Sequence, residues 1–260
     1  MLQQPTFDLL HELRLPGMAA ALEDQQGFPD VQELAFEDRL VFLLEREKTE
    51  RATRRLQRLL GQARLRLDAS IEDLNFRIPR GLDRSLILRL ASSDWIRDGQ
   101  SVLIVGATGT GKSYLACALG HQACRHGLSV RYFRLSRLLG ELALARADGS
   151  YPKLLQRLAR TQLLLVDDFG MAPLDDLARR DLLEVLDDRY QRHATLVTSQ
   201  IPTDHWHELI GDPTFGDAIL DRLLHNAHRI TLKGASMRRV YDSTRGNREE
   251  DKQEDTTDTN

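Results

Sequence analysis

Leucines 40, 43, 44, 56, 59 and 60 recur at intervals of three and four through the stretch from Val31 to Leu67. This spacing lays apolar side chains along one face of a helix. Shorter stretches with the same period precede it, from Phe7 to Leu13 and, after a break at Pro16-Gly17, from Met18 to Leu22. The first seventy residues are therefore expected to form a small all-α domain. From Ser70 to Leu82 the period is lost and Pro79 and Gly81 appear, which places a domain boundary there. Beyond it short apolar runs (Val102 to Val105, Ser129 to Phe133, Leu163 to Val166, Thr195 to Thr198) alternate with helical segments (Tyr114 to His126, Leu135 to Ala145, Leu177 to Tyr190). Apolar runs separated by helices predict an α/β domain with a central parallel sheet flanked by helices. The expected division is 1–70 helical, 71–241 α/β, and 242–260 an acidic tail.

Composition sharpens this in three places. A chain of 260 residues, 41% hydrophobic, can bury a full core. No apolar run approaches the roughly 18 residues of a membrane span, so a cytoplasmic protein is expected. The net charge of −3 is uneven: Glu249 to Asn260 carries −5, leaving the rest at +2. That tail reads as disordered, with competition against nucleic acid for a basic surface as the sharper alternative. Between Arg51 and Arg66 stand arginines 51, 54, 55, 58, 64 and 66 and no acid. Either they form a solvated helix face or they meet a polyanion, and Arg51, Arg54, Arg55 and Arg58 are the candidate DNA contacts. Cys117 and Cys124, seven residues apart on one expected helix, stand too far apart to bridge.

The chemistry concentrates at Gly106-Ala107-Thr108-Gly109-Thr110-Gly111-Lys112-Ser113. Two glycines with four residues between them and then Lys-Ser form the phosphate-binding pattern, and here a strand enters the loop and a helix opening Ser113-Tyr114 leaves it. Backbone N–H groups and the helix dipole then converge on the phosphates of ATP. Lys112 is expected to reach the β and γ phosphates, and the Ser113 hydroxyl to ligate Mg2+. Gly109 and Gly111 let the main chain approach. The run Leu163 to Val166 delivers Asp167 and Asp168 to the ligand-binding edge of such a sheet. Asp167 is the candidate metal group, through water, and Asp168 the group that orients or deprotonates the attacking water. An Asp where many related ATPases carry Glu points to slow hydrolysis.

The strand ending Thr198-Ser199-Gln200 offers a phosphate-sensing side chain, Gln200 first and Thr198 second. Arg222, among the apolar positions of Ile219 to Leu223, is either a surface ion pair or an arginine that completes a neighbouring subunit's site. Asp168-Phe169-Gly170 matches a kinase tripeptide by accident, because no His-Arg-Asp loop accompanies it. His205 and His207 would point apart on a helix, and no third metal ligand accompanies them.

These residues resemble the AAA+ ATPases, and within them the DnaC and IstB branch, with the similarity to IstB close. It rests on Leu13 to Met18, Gly106 to Ser113, Leu165 to Gly170, Leu183 to Tyr190, Val197 to Pro202, His205 to Glu208, Ile219 to Asn226 and Leu232 to Arg238. It runs to about Tyr241. The resemblance implies an ATP-dependent homo-oligomer that binds and deforms double-stranded target DNA and stimulates a partner transposase. It also implies that Arg222 acts across a subunit interface, that Arg238 corresponds to a second nucleotide-sensing arginine, and that the full helical lid is lacking. Ala235 stands where relatives are expected to carry an acid. DNA contacts are expected to be mainly to phosphates, from the Arg51 to Arg66 helix and from Arg131, Arg134 and Arg137. The rival readings are a DnaC-like helicase loader, a small-molecule phosphotransferase and a non-hydrolysing adaptor.

Overall fold

In the computed structural model, which describes residues 4–28, 31 and 33–237, the chain forms two compact units that divide between Gly61 and Gln62. The division falls earlier than the expected 70/71, because residues 62–70 pack with the second unit. Arg238 and the acidic tail lie outside the described residues.

The first unit contains α1 (Gln4–Glu12), α2 (Pro16–Gly27) and most of α3 (Phe36–Ala63). Pro16 opens α2, where its missing N–H and fixed φ cost nothing. The Glu47 carboxylate accepts from the N–H groups of Gly17, at 2.8 Å, and Met18, at 3.3 Å, filling donors that a helix start leaves open. It also accepts from Arg51 Nε at 2.7 Å. Burial pushes the Glu47 carboxyl up, but Arg51 and the two backbone donors outweigh it and hold the group below its ordinary value. Arg54 pairs in the same way with Glu50 at 2.7 Å. The arginine run is thus not free of acids: Glu47 and Glu50 precede it by one helical turn and take up two of its members. Both arginines remain well exposed, 63% and 58% by side chain. Of the leucines on the expected apolar face, Leu59 is buried and Leu44 is 52% exposed.

The second unit begins with α4 (Arg84–Ala91) and α5 (Asp94–Arg97), then builds a five-stranded sheet. Its elements are β1 (Ser101–Gly106), α6 (Lys112–Arg125), β2 (Val130–Arg134), α7 (Leu135–Asp148), α8 (Tyr151–Arg160), β3 (Leu163–Phe169), α9 (Asp176–Arg189), β4 (Ala194–Ser199), α10 (Trp206–Ile210), α11 (Pro213–Leu224) and β5 (Ala227–Leu232). The strand order is β2-β3-β4-β1-β5, all parallel. Every strand therefore ends at the same edge, and Gly106, Asp167 and Ser199 arrive there together. The four expected strands are present. The fifth, β5, has Ile230 and Leu232 buried but His228 and Arg229 between the other positions, and its short apolar content did not announce a strand.

Two buried polar features hold the sheet's surroundings. Arg189, 1% exposed, donates to the carbonyls of Leu158, Thr161 and Ala194 and to the Thr195 hydroxyl. Trp206 is fully buried, donates to the Ile201 carbonyl at 2.9 Å and lies 4.4 Å from the Phe169 ring. His205 and His207 on either side of it turn to Glu208 and Asp217. Cys117 and Cys124 are buried free thiols, and burial pushes the Cys124 thiol up to about 11. No described helix is long and apolar enough to cross a membrane.

Replacing Glu47 with Ala should destabilise the start of α2 by about 1 kcal/mol, the usual worth of a carboxylate at a helix N-terminus. Hydrogen exchange at the Gly17 and Met18 amides is the readout. Because the folded pKa is depressed, the contribution is present above the unfolded value of about 4.3. It is lost as pH falls through the lowered folded value, so the difference between variant and wild type should fade in acid.

Candidate nucleotide site

β1 delivers Gly106 to the sheet edge, and the loop from Ala107 to Gly111 turns the chain into α6. Gly109 and Gly111 adopt φ of +85° and +97°, a region costly for residues with a β-carbon. Lys112 is buried and donates to the Ala107 carbonyl at 2.9 Å. Burial pushes its ammonium pKa down, opposed by Asp167 and Asp168. A buried cation surrounded by main-chain donors is suited to anionic phosphates.

The two acids owe their placement to a bulge. Val166 pairs with Val197 and Phe169 with Ser199, so Asp167 and Asp168 together stand opposite Thr198 alone. Asp168 takes φ +63°. The Thr198 hydroxyl bridges the irregularity, donating to Asp167 Oδ1 and accepting from the Asp168 N–H at 3.3 Å. Asp167 is 1% exposed, and its two oxygens each lie 2.9 Å from the Ser113 hydroxyl. The Tyr132 hydroxyl also donates to it at 2.6 Å, and burial together with this donation raises the phenol pKa; Arg66 Nη1 lies 3.6 Å away. Asp168 has a side chain 29% exposed, 3.4 Å from Arg134 and 4.0 Å from Arg66.

The expected site residues thus separate into groups. The structure brings Lys112, Ser113, Asp167 and Asp168 to one edge, and Gln200 joins them, because its carbonyl oxygen accepts from the Thr108 hydroxyl of the loop. Thr198, ranked second, is the residue that touches the acids. Arg222 does not come to this edge. It pairs with Asp187 and shares a small cavity with Ser101 and Thr195, at the beginnings of β1 and β4. A six-residue strand of roughly 3.3 Å per residue separates it from its own phosphate loop. Arg131, expected on phosphates of DNA, donates to the Gln62 carbonyl, and Arg134 faces Asp168, while Arg137 is exposed.

A cavity of about 490 Å3 adjoins the loop. Gly109, Gly111, Lys112, Ser113 and Tyr114 form one wall, and Leu67, Leu74, Asn75, Arg80 and Met237 the others. The stretch read as a domain boundary therefore lines the site instead. It has no period because it is irregular backbone fitted to the loop: Arg80 donates to the Thr110 carbonyl at 3.1 Å, and the N–H of Met237 to the Gly109 carbonyl at 2.8 Å. Pro79-Arg80-Gly81 was the visible signal, an arginine held between two turn residues, but nothing local indicates its target.

The donor set fits the groups implied by the sequence. The loop and cavity suit a nucleoside triphosphate, and the serine hydroxyl and carboxylate oxygens that face each other are oxygen ligands of the kind Mg2+ takes. The fold and this edge define a P-loop nucleotide-binding protein of the AAA+ type. The chain belongs to the IstB-like ATP binding protein family, whose model matches residues 8–244. A Sinorhizobium fredii relative named as an insertion sequence ATP-binding protein, y4pL, is 50% identical over 239 residues, covering 92% of this chain and 98% of its own. A Pseudomonas aeruginosa relative named for ATP binding in insertion sequence IS21 is 30% identical, over 88% of this chain and 87% of its own. Among solved structures, DnaI superposes with a TM-score of 0.55 at 19% identity, covering 64% of this chain and 91% of that one. DnaA bound to AMPPCP and single-stranded DNA does so with 0.52 at 16%, covering 66% and 52%. Both likenesses concern the fold.

Gly111→Ala should weaken ATP binding at least ten-fold with the far-ultraviolet circular dichroism unchanged. A β-carbon at φ +97° costs about 1–2 kcal/mol in a loop that must keep its shape to present its N–H groups. Binding of a fluorescent ATP analogue measures it.

Proposed function

We propose that this chain is a Mg2+-dependent ATPase that assembles on double-stranded DNA with ATP between subunits and serves a partner transposase in moving an insertion sequence. The observation that carries the hydrolytic part is the Ser113 hydroxyl set 2.9 Å from both oxygens of Asp167, beside a buried Lys112. In this reading Lys112 and the loop N–H groups hold the β and γ phosphates. Ser113 and Asp167 hold magnesium, which when bound offsets charge on the phosphate oxygens. Asp168, partly exposed at the bulge, orients the water that attacks the γ-phosphorus and takes its proton on a carboxylate oxygen, while the bond from that phosphorus to the β–γ bridging oxygen breaks and ADP leaves with the electron pair. Gln200, on the Thr108 hydroxyl, reports whether the γ-phosphate is present.

Arg222 supports the assembly part. It lies at the other end of the sheet from its own loop, so its use in catalysis calls for a neighbour's site. There its guanidinium would meet charge developing on the transferred phosphoryl group. The DNA contacts assigned are Arg51, Arg54, Arg55 and Arg58, with Arg137 from the second unit. Phosphate contacts of this kind make binding fall steeply with salt and depend little on sequence. Membership of the IstB-like family and likeness to ATP-binding proteins of insertion sequences support the proposed transposase partnership.

Lys112→Ala and Arg222→Ala should each lose at least 100-fold in DNA-stimulated phosphate release, while an equimolar mixture regains part of the activity. The first variant supplies the arginine and the second the intact loop. Absence of any recovery would remove the shared site. Duplex DNA affinity indifferent to ATP would remove the assembly switch, and both are read from phosphate release and fluorescence anisotropy.

A further inference from the structure

The last residues of α3 from Gln62 on, and those that follow it to Leu67, make a dense series of contacts within the second unit. The Gln62 carbonyl accepts from Arg131 Nη1 at 2.8 Å. Leu65 packs against Gly120 of α6. Leu67 lines the nucleotide cavity. Between them Arg66 places Nη1 3.6 Å from Asp167 and 4.0 Å from Asp168, and it shares the Tyr132 hydroxyl, which itself donates to Asp167. The six residues from Gln62 to Leu67 thus meet β2, α6, both acids and the cavity, all within the second unit.

Arg66 stands three residues beyond Ala63, the last residue of α3, and is 36% exposed by side chain, so neither packing nor burial requires a guanidinium at that place. What does require a cation there is the pair of adjacent carboxylates. One of them is the buried Asp167 whose oxygens face Ser113. A guanidinium and a magnesium ion near the same carboxylate repel each other, so whichever is present weakens the hold of the other.

We propose that Arg66 is a positioning residue that competes with magnesium: with Tyr132 it holds Asp167 and Asp168 in the resting chain and withdraws as magnesium nucleotide binds. Since it follows α3 so closely, a shift of the helix end moves it, and occupancy of the metal site then answers to DNA held by that helix. This rests on the proposed metal role of Asp167 and DNA role of α3.

The test uses the full chain as wild type, Arg66→Ala, Arg66→Lys and Tyr132→Phe. Magnesium is titrated against binding of a fluorescent ATP analogue, with melting temperature followed in parallel. Removing one unit of charge that competes with the doubly charged ion should lower the half-saturating magnesium concentration by at least about five-fold in Arg66→Ala. Arg66→Lys should stay within about two-fold of wild type. Tyr132→Phe should shift in the same direction by a smaller factor and provides the readout if Arg66→Ala does not fold. Nucleotide binding in excess chelator should be alike in all four, and duplex DNA should lower the half-point in wild type but not in Arg66→Ala. An unchanged half-point in both Arg66→Ala and Tyr132→Phe, or an equal fall in Arg66→Lys, overturns the proposal. A wild type whose nucleotide binding ignores magnesium overturns instead the metal role of Asp167, and a wild type that ignores DNA overturns the role of α3.

Discussion

The Thr198 hydroxyl stands between two strands that do not match residue for residue, donating a hydrogen bond to Asp167 and accepting one from the backbone of Asp168. Parallel strands would otherwise send successive side chains to opposite faces of the sheet. With two residues of β3 opposite one of β4, the second acid is released from that alternation, and one hydroxyl satisfies what the missing pairing leaves open. A hydrogen bond to a charged group contributes on the order of 1.5–3 kcal/mol, enough to fix which way a buried carboxylate faces. Everything at the edge takes its position from that orientation: Ser113 from α6, Tyr132 from β2 and Arg66 from the segment after α3 all meet Asp167.

The parallel sheet makes this convergence possible. Because β1, β3 and β4 are adjacent and run in one direction, a loop, an acid pair and a polar strand end that lie far apart in the chain reach one line. The buried Arg189 performs a comparable service at the opposite edge, where carbonyls from the end of α8, from Thr161 after it and from the start of β4 are met by one side chain. The two ends of the sheet thus differ in character. One carries the phosphate loop and the two acids, the other the buried Arg189 and the Arg222 and Asp187 pair.

Much of this was legible in the sequence wherever the signal was local. The loop is a strand, a glycine pattern and a helix in direct succession, and Asp167 ends an apolar run. Contacts between distant segments were not legible. Arg66 is separated from Asp167 by a hundred residues, and in a run of arginines it looks like its neighbours. The 67–80 stretch lacks a period because it follows the contour of the loop, and absence of a period reads the same for a linker as for a wall of a cavity. The partners of Arg51 and Arg54 went unread for a smaller reason: Glu47 and Glu50 lie just before the window, within one turn of the residues they bind. The bulge was invisible because nothing in Val166-Asp167-Asp168-Phe169 distinguishes a strand that stays in register from one that slips.

The φ of +63° at Asp168 bears on why this position carries the shorter of the two acidic residues. Left-handed backbone is tolerated best by glycine and then by Asn and Asp, whose short polar side chains bond locally, and it disfavours longer or branched ones. In the role proposed for Asp168, a glutamate would extend further toward an attacking water but would be harder to accommodate at this bend. Folding and the proposed role therefore ask for different side chains at one residue. The backbone geometry sets a ceiling on how far the acid can be lengthened before the bulge itself must be rebuilt.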